Sequence, residues 1–431
     1  MSPTRLLLPL LPALIALLAV QAAQAQLQPL SLLADWRLDR LDWHDTGGLP
    51  TNSQFVSPMT ACYNWAWGEV ALGLNVQAGD TYYAVVAIVN GNSLDALSVA
   101  GPSARTVAWS AGPYHVAAVL PDGRLSLWLT APGQYPRQVI LATGLAAGTP
   151  LAVTATPPAP PSQPDWRISA AYQDDQGGPV LQVATFNGAG RPLTYTASLR
   201  LPDELLSLSY GEYAAGGAGG PAVPSVLFVA AAPEPSMTDN NTASNAYIAS
   251  YTSQRGWVVS RLRAAGINGG APFLGSAGTS PNAMIALDEW ANAQTYGVLQ
   301  ALSASLMSDG TVSIPLLGPS DQVPTPVDPD VFAWVASARN VNPLSAYSDG
   351  RYLYLGELAG RGRAGNELGY QFFNLYDANA QAPPSDSYAI TALGATAHWS
   401  TGNPLLFFLQ DGSPADPATT TLFRLAYSPR Q

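Results

Sequence analysis

Short apolar runs with period-two alternation recur from one end of the chain to the other. Tyr82 to Val89 ends on Asn90-Gly91. His115 to Leu120 passes through Pro121-Asp122-Gly123 into Arg124 to Leu129. Ile168 to Tyr172 passes through Gln176-Gly177-Gly178 to Val180 to Phe186. Ala246 to Tyr251 turns at Gln254-Arg255-Gly256 into Trp257 to Val259. Leu302 to Met307 turns at Asp309-Gly310 into Thr311 to Leu316, and Tyr347 at Asp349-Gly350 into Arg351 to Leu355. Leu405 to Leu409 turns at Asp411-Gly412 towards Thr419 to Leu425. Alternation is the period of a half-buried strand. Asn-Gly and Asp-Gly supply the positive φ that a two-residue hairpin needs. The pattern therefore predicts seven hairpins at irregular intervals.

Seven units over residues 26–431 give each roughly 58 residues, above the ~40–50 of a propeller blade. Long loops absorb the excess: Ala214 to Gly220, Pro233 to Ser244, and the segment with Pro319, Pro324, Pro326 and Pro329. Pro157 to Pro164 reads either as a further loop or as an interdomain linker. The expected fold class is all-β: a single β-propeller over residues 26–431, seven-bladed, whose first strand pairs with the last blade and so removes an exposed edge. Tandem β-sandwiches broken near Pro157 to Pro164 are the alternative. Two stretches stay open between helix and strand, Leu27 to Trp43 and Ala291 to Met307. One phrase repeats, Asp35-Trp36-Arg37-Leu38 and Asp165-Trp166-Arg167-Ile168, and either marks equivalent strands of two blades or is chance. In these respects the chain resembles secreted, bacterial-type β-propellers in general. It has no WD ladder, kelch double-glycine series or repeated Asp boxes, so no specific family is implied.

Composition sharpens this. Hydrophobic residues are 47% and charged residues 11%, enough apolar material for a large core and too little charge for disorder. All 18 basic residues are arginine, and without Lys/Glu pairs surface helices are disfavoured. Residues 1–25 read as a cleavable export signal: Arg5, an apolar run Leu6 to Val20, and the small-x-small site Ala23-Gln24-Ala25. A secreted or periplasmic location is expected, with no membrane span after cleavage. The net charge of −11 repels nucleic-acid phosphates, so nucleic acid is excluded as a partner. One cysteine, Cys62, rules out an internal disulfide framework.

Candidate chemistry stands out against so little charge. Glu357, Arg361, Arg363 and Glu367 crowd a glycine-rich segment between two aromatic strands. They form either a ligand loop, with arginine forks for carboxylates and glutamates for hydroxyls, or a solvated hairpin with internal ion pairs. Tyr63, Trp65 and Trp67 alternate, so a strand would set them on one face. Exposed, they are a stacking platform for sugar rings; buried, they are core. Asp35 to Asp45 holds His44 among several acids, in a spacing that fits a polar strand edge and no metal motif.

Catalytic motifs are missing. Without lysine there is no Schiff base or phosphate-loop lysine. His44, His115 and His398 are far apart and form no zinc helix. Leu274 stands where the Gly275-Ser276-Ala277-Gly278 stretch would need the first glycine of a serine elbow. Asp288 and Glu289 are adjacent, so a strand would send them to opposite faces, where they cannot flank one glycosidic bond. No catalytic residue, cofactor or metal is expected. The function expected is non-enzymatic binding of a glycan or an extracellular protein, with Glu357, Arg361, Arg363, Glu367, Trp65 and Trp67 as the candidate binding residues. A polysaccharide hydrolase or lyase and a cell-envelope assembly module are the alternatives.

Overall fold

The computed structural model describes residues 35–64, 69–130, 135–158, 164–174, 180–200, 205–214, 222–231, 244–252, 255–261, 273–276, 283–289, 298–306, 312–313, 322–324, 331–334, 344–361, 368–380, 388–398, 403–412 and 419–427. Among these residues there are strands and turns and no α-helix.

A first strand, β1 (Trp36–Asp45), precedes the repeating units. Blade 1 is β2 (Gln54–Asn64), β3 (Glu69–Ala78), β4 (Thr81–Asn90) and β5 (Ser93–Ser103). Blade 2 is β6 (Trp109–Gly112), β7 (His115–Val119), β8 (Leu125–Leu129) and β9 (Arg137–Ala142). Blade 3 is β10 (Leu151–Thr156), β11 (Arg167–Asp174), β12 (Val180–Asn187) and β13 (Pro192–Arg200). Blade 4 is β14 (Leu205–Ala214), β15 (Ala222–Ala231), β16 (Ser244–Thr252) and β17 (Gly256–Arg261). Blade 5 is β18 (Phe273–Ser276), β19 (Ala283–Glu289), β20 (Val298–Leu306) and β21 (Val312–Ser313), with β22 (Gln322–Pro324) also on β20. Blade 6 is β23 (Val331–Trp334), β24 (Leu344–Ser348), β25 (Tyr352–Arg361) and β26 (Leu368–Asp377). Blade 7 is β27 (Ala389–Ala397), β28 (Pro404–Asp411) and β29 (Thr420–Tyr427), completed by β1. The chain is a seven-bladed β-propeller of antiparallel meanders.

β1 closes the ring, as expected, and does more. Its first half pairs antiparallel with β29, from Trp36↔Tyr427 to Leu41↔Leu422. Its second half then pairs parallel with β5, from Asp42↔Ser93 to Asp45↔Asp95. One ten-residue strand therefore staples the outer edges of the last and first blades. The first strand of each blade lies innermost. β27 lies beside β2, β2 beside β6, β6 beside β10, β10 beside β14, β14 beside β18, and β23 beside β27. These strands are rich in small residues, which lets their backbones converge. At Gly394 of β27 an added Cβ would sit 3.0 Å from the Thr60 carbonyl carbon and 3.1 Å from the Ala61 nitrogen of β2.

The apolar core lies between blades, where one sheet face packs on the next. Leu72, Leu74 and Val85 of blade 1 meet Phe407, Leu409 and Leu422 of blade 7. Leu125, Leu127 and Leu129 of blade 2 meet Val153, Ile168 and Phe186 of blade 3. Blades 6 and 7 share Leu353, Leu355, Ile390 and Phe408.

Three expectations are corrected or resolved by this topology. The Asp-Trp-Arg phrases do not mark equivalent strands, because Trp36 starts the outermost strand of blade 7 while Trp166 leads into the second strand of blade 3. Pro157 to Pro164 joins two paired strands of one blade, since Thr156 pairs with Arg167, so it is no interdomain linker. The helix considered over Ala291 to Met307 gives way to strand β20 over its described part. Leu299, Ala301 and Ser303 pair along β19, and ladder bonding outweighs a weak helical spacing.

Candidate functional site

A strand at the inner edge of a blade carries N–H and C=O groups that no further strand pairs. Side chains of the preceding blade meet this need. Ser110 Oγ accepts from the Val153 amide of β10 at 2.9 Å. His115 Nε2 lies 2.9 Å from the Val153 carbonyl. A carbonyl only accepts, so Nε2 carries the proton and the ring is the neutral Nε2–H tautomer. His115 is fully buried and its Nδ1 has no partner among the described residues. Burial pushes its pKa down to about 4, against the opposing hydrogen bond to Val153. Asn75, also buried, acts like a peptide unit. Its Nδ2 donates to the carbonyls of Pro58 (2.8 Å) and Val107 (3.0 Å), and its Oδ1 accepts from Val107 N (2.9 Å). On β2, the Tyr63 amide donates to Thr396 Oγ1 of blade 7 at 3.2 Å.

Cys62 lies next to this frame and is inert. Its thiol is buried and raised to about 12, by burial first, against hydrogen bonds from Thr130 and the His115 backbone. A thiol so far from ionisation is no nucleophile at neutral pH. Ser276 sits on β18 and Glu289 ends β19.

The closing seam, between blades 7 and 1, is different in kind. Arg424 of β29 donates from Nη2 to Asp39 Oδ2 of β1 at 2.7 Å and to Asn92 Oδ1 at 3.1 Å. Its Nη1 donates to the Gly91 carbonyl at 2.9 Å. Arg37 Nε adds a bond to Asp39 Oδ1 at 2.8 Å. Burial alone would raise the Asp39 carboxyl, but the bonds from Arg424 and Arg37 outweigh it and hold the group below its usual range. Arg424 Nε is buried with no hydrogen-bond partner among the described residues.

Beside this knot is a pocket of about 310 Å³. It lies on the side of the ring where β2 ends, β3 begins and β4 turns into β5. Tyr63 and His398 supply rings with centroids 4.9 Å apart. Glu69, Asn90 and Arg424 supply polar groups, and Val70, Val89 and Leu405 an apolar wall. Burial raises the Glu69 carboxyl, and the nearby Asp95 charge raises it further. Burial lowers His398, so its ring is neutral at pH 7. Asp95 Oδ1 accepts from His44 Nδ1 at 2.8 Å. This His44 contact is an exposed strand-edge pair, and among the described residues no three potential metal ligands cluster.

The residues singled out from sequence stand apart from this pocket or outside the described set. Trp65, Trp67, Arg363 and Glu367 lie outside the described residues; Trp65 and Trp67 fall in the sequence between Asn64 and Glu69. Glu357 and Arg361 are on β25, where Glu357 pairs with Leu344 and Gln371 and Arg361 with Leu368. Tyr63, the first member of the aromatic alternation, is 3% exposed and borders the pocket. Trp128 is core. His398, Arg424 and Asn90 were not singled out as site residues. Asn90 carries only a turn signal, and for Arg424 and His398 the one signal is the expectation that the chain ends meet.

No family model and no curated protein matches the chain. Among solved structures it is similar to an ancestral GH74 enzyme, at 11% identity and a TM-score of 0.42 over 83% of this chain and 58% of that one. It is also similar to the WD40 domain of SCAP from fission yeast, at 9% identity and a TM-score of 0.42 over 92% of this chain and 99% of that one. The chain thus spans 58% of the length of the first. Likeness at this level identifies neither ligand nor activity, and the propeller assignment stands on the strand pairing.

Proposed function

We propose that the protein is an exported binding module that holds a glycan in the pocket at the closing seam, without converting it. The observation that carries this reading is the joint lining of the half-buried His398 ring backed by the buried Tyr63 ring, an apolar wall and three polar side chains in one opening. Sugars ask for this combination: C–H faces lie on rings while hydroxyls need directional partners. A volume of about 310 Å³ suits one sugar ring rather than a long chain segment. A hydrolase would need two carboxyl groups about 5–10 Å apart across the scissile bond. Among the described lining residues Glu69 is the one carboxylic acid.

A glycan array probed with the full chain tests the reading. Saccharide binding is expected, and His398→Ala should abolish it while thermal unfolding stays within a few degrees. Binding to a protein alone, or shortened saccharide products after incubation, would contradict it. N-terminal sequencing of protein recovered outside the cytoplasm should begin at Gln26.

A further inference from the structure

The ligand's charge is the remaining question, and the pocket's ionic balance addresses it. Arg424, the one arginine of the lining, is engaged by Asp39 at 2.7 Å; the second partner of Asp39, Arg37, is exposed and lies outside the lining. His398 is neutral at neutral pH. Glu69 is left over: no hydrogen bond or ion pair to it is found among the described residues, and Asp95 is close enough to repel its charge. The rings of Tyr63, 3% exposed, and half-buried His398, with centroids 4.9 Å apart, line the same pocket as this carboxylate. A carboxylate next to aromatic faces is the setting that holds an ammonium group, through Coulomb attraction and the ring quadrupole together. The chain's overall charge of −11 favours the approach of a cation as well.

We propose that the seam pocket binds a free-amine sugar, its ammonium group lying at Glu69 on the side of the pocket that His398 lines. The assignment rests on the saccharide reading above and goes beyond it by naming the charge. A lysine side chain offers the same ammonium group, but it has no hydroxyls to use Asn90. The sugar ring uses both the polar rim and the apolar wall of Val70, Val89 and Leu405.

Calorimetric titration of the full chain with four probes tests this: a glucosamine tetramer, its fully N-acetylated counterpart, cellotetraose and trilysine. The glucosamine tetramer should bind roughly tenfold more tightly than the acetylated one. Glu69→Gln, checked for folding by circular dichroism, should bring that ratio close to one. Equal affinity of the wild-type chain for charged and neutral tetramers would overturn the ammonium assignment and leave the saccharide reading standing. Failure of all three saccharides to bind would overturn both. Trilysine binding as tightly as the glucosamine tetramer would overturn the sugar and point to a basic protein segment.

Discussion

Between blades 2 and 3, the free edge of β10 is capped by two neutral, buried side chains, Ser110 and His115, and the gap behind them is filled with leucine, valine and tryptophan. Between blades 7 and 1, an arginine–carboxylate knot joins residues 385 positions apart, and a pocket opens next to it. The first seam joins neighbours along the chain, so sequence proximity brings its partners together. The second must find the correct register between two chain ends. Charged, directional bonds suit that task because a one-residue slip would separate Asp39 from Arg424 and turn β1 to its other face. They also leave hydrated polar groups at the surface, where a ligand can use them. Of these two seams, the one that closes the ring is the one with the pocket.

The contrast can be broken at several points. The largest effect is expected for His115→Ala. It leaves the buried Val153 carbonyl unpaired and opens a cavity, and should lower unfolding stability by about 4 kcal/mol in denaturant titration. A loss under about 1 kcal/mol would mean that the blade 2–3 seam does not depend on this ring.

Acid should weaken the two seams in separate windows. The folded pKa of His115 lies near 4, below its ordinary 6.5, so the native state binds its proton less readily than the unfolded chain. Its contribution is complete above pH 6.5 and is lost as pH falls towards 4. That loss reaches up to about 3 kcal/mol, and His115→Gln should flatten it. The buried thiol of Cys62 is uncharged throughout and cannot balance an imidazolium. Asp39 is also depressed, from 3.8, so its contribution persists above that value and fades only below it. A stability profile flat from pH 6.5 to 4 would contradict the assignment at His115.

The smallest effect is expected at the closing knot. Asp39→Asn keeps the shape and removes the charge opposite Arg424, whose side chain is 18% exposed. A loss of about 1–2 kcal/mol is expected, shrinking as salt is raised. Salt independence would indicate that packing, rather than charge, holds the register.

Much of the fold was legible in the sequence because hairpin turns are local. Each of the seven turns falls in a different blade. Asp122-Gly123, Gln176 to Gly178, Asp349-Gly350 and Asp411-Gly412 join second and third strands. Asn90-Gly91, Gln254 to Gly256 and Asp309-Gly310 join third and fourth strands. That alternation of position explains the irregular spacing and the lack of an alignable repeat. The site was much less legible. Asn90 appeared only as a turn residue, while Arg424 and His398 gain meaning only when β29 and β27 meet blade 1. Charged loops such as Glu357 to Glu367 attract notice because charge is scarce. A pocket built from one or two residues each of five strands and two connecting segments leaves no local trace.

Ring closure by β1 underlies the knot, the pocket and its proposed ligand, and a cross-link tests it directly. Arg37 and Ala426 are register partners on β1 and β29, and opposed antiparallel residues lie within disulfide reach. In an Arg37→Cys/Ala426→Cys chain, mild oxidation should form one intramolecular disulfide and raise the unfolding temperature, with buried Cys62 uninvolved. Two thiols that stay freely reactive in the folded protein would contradict the closure.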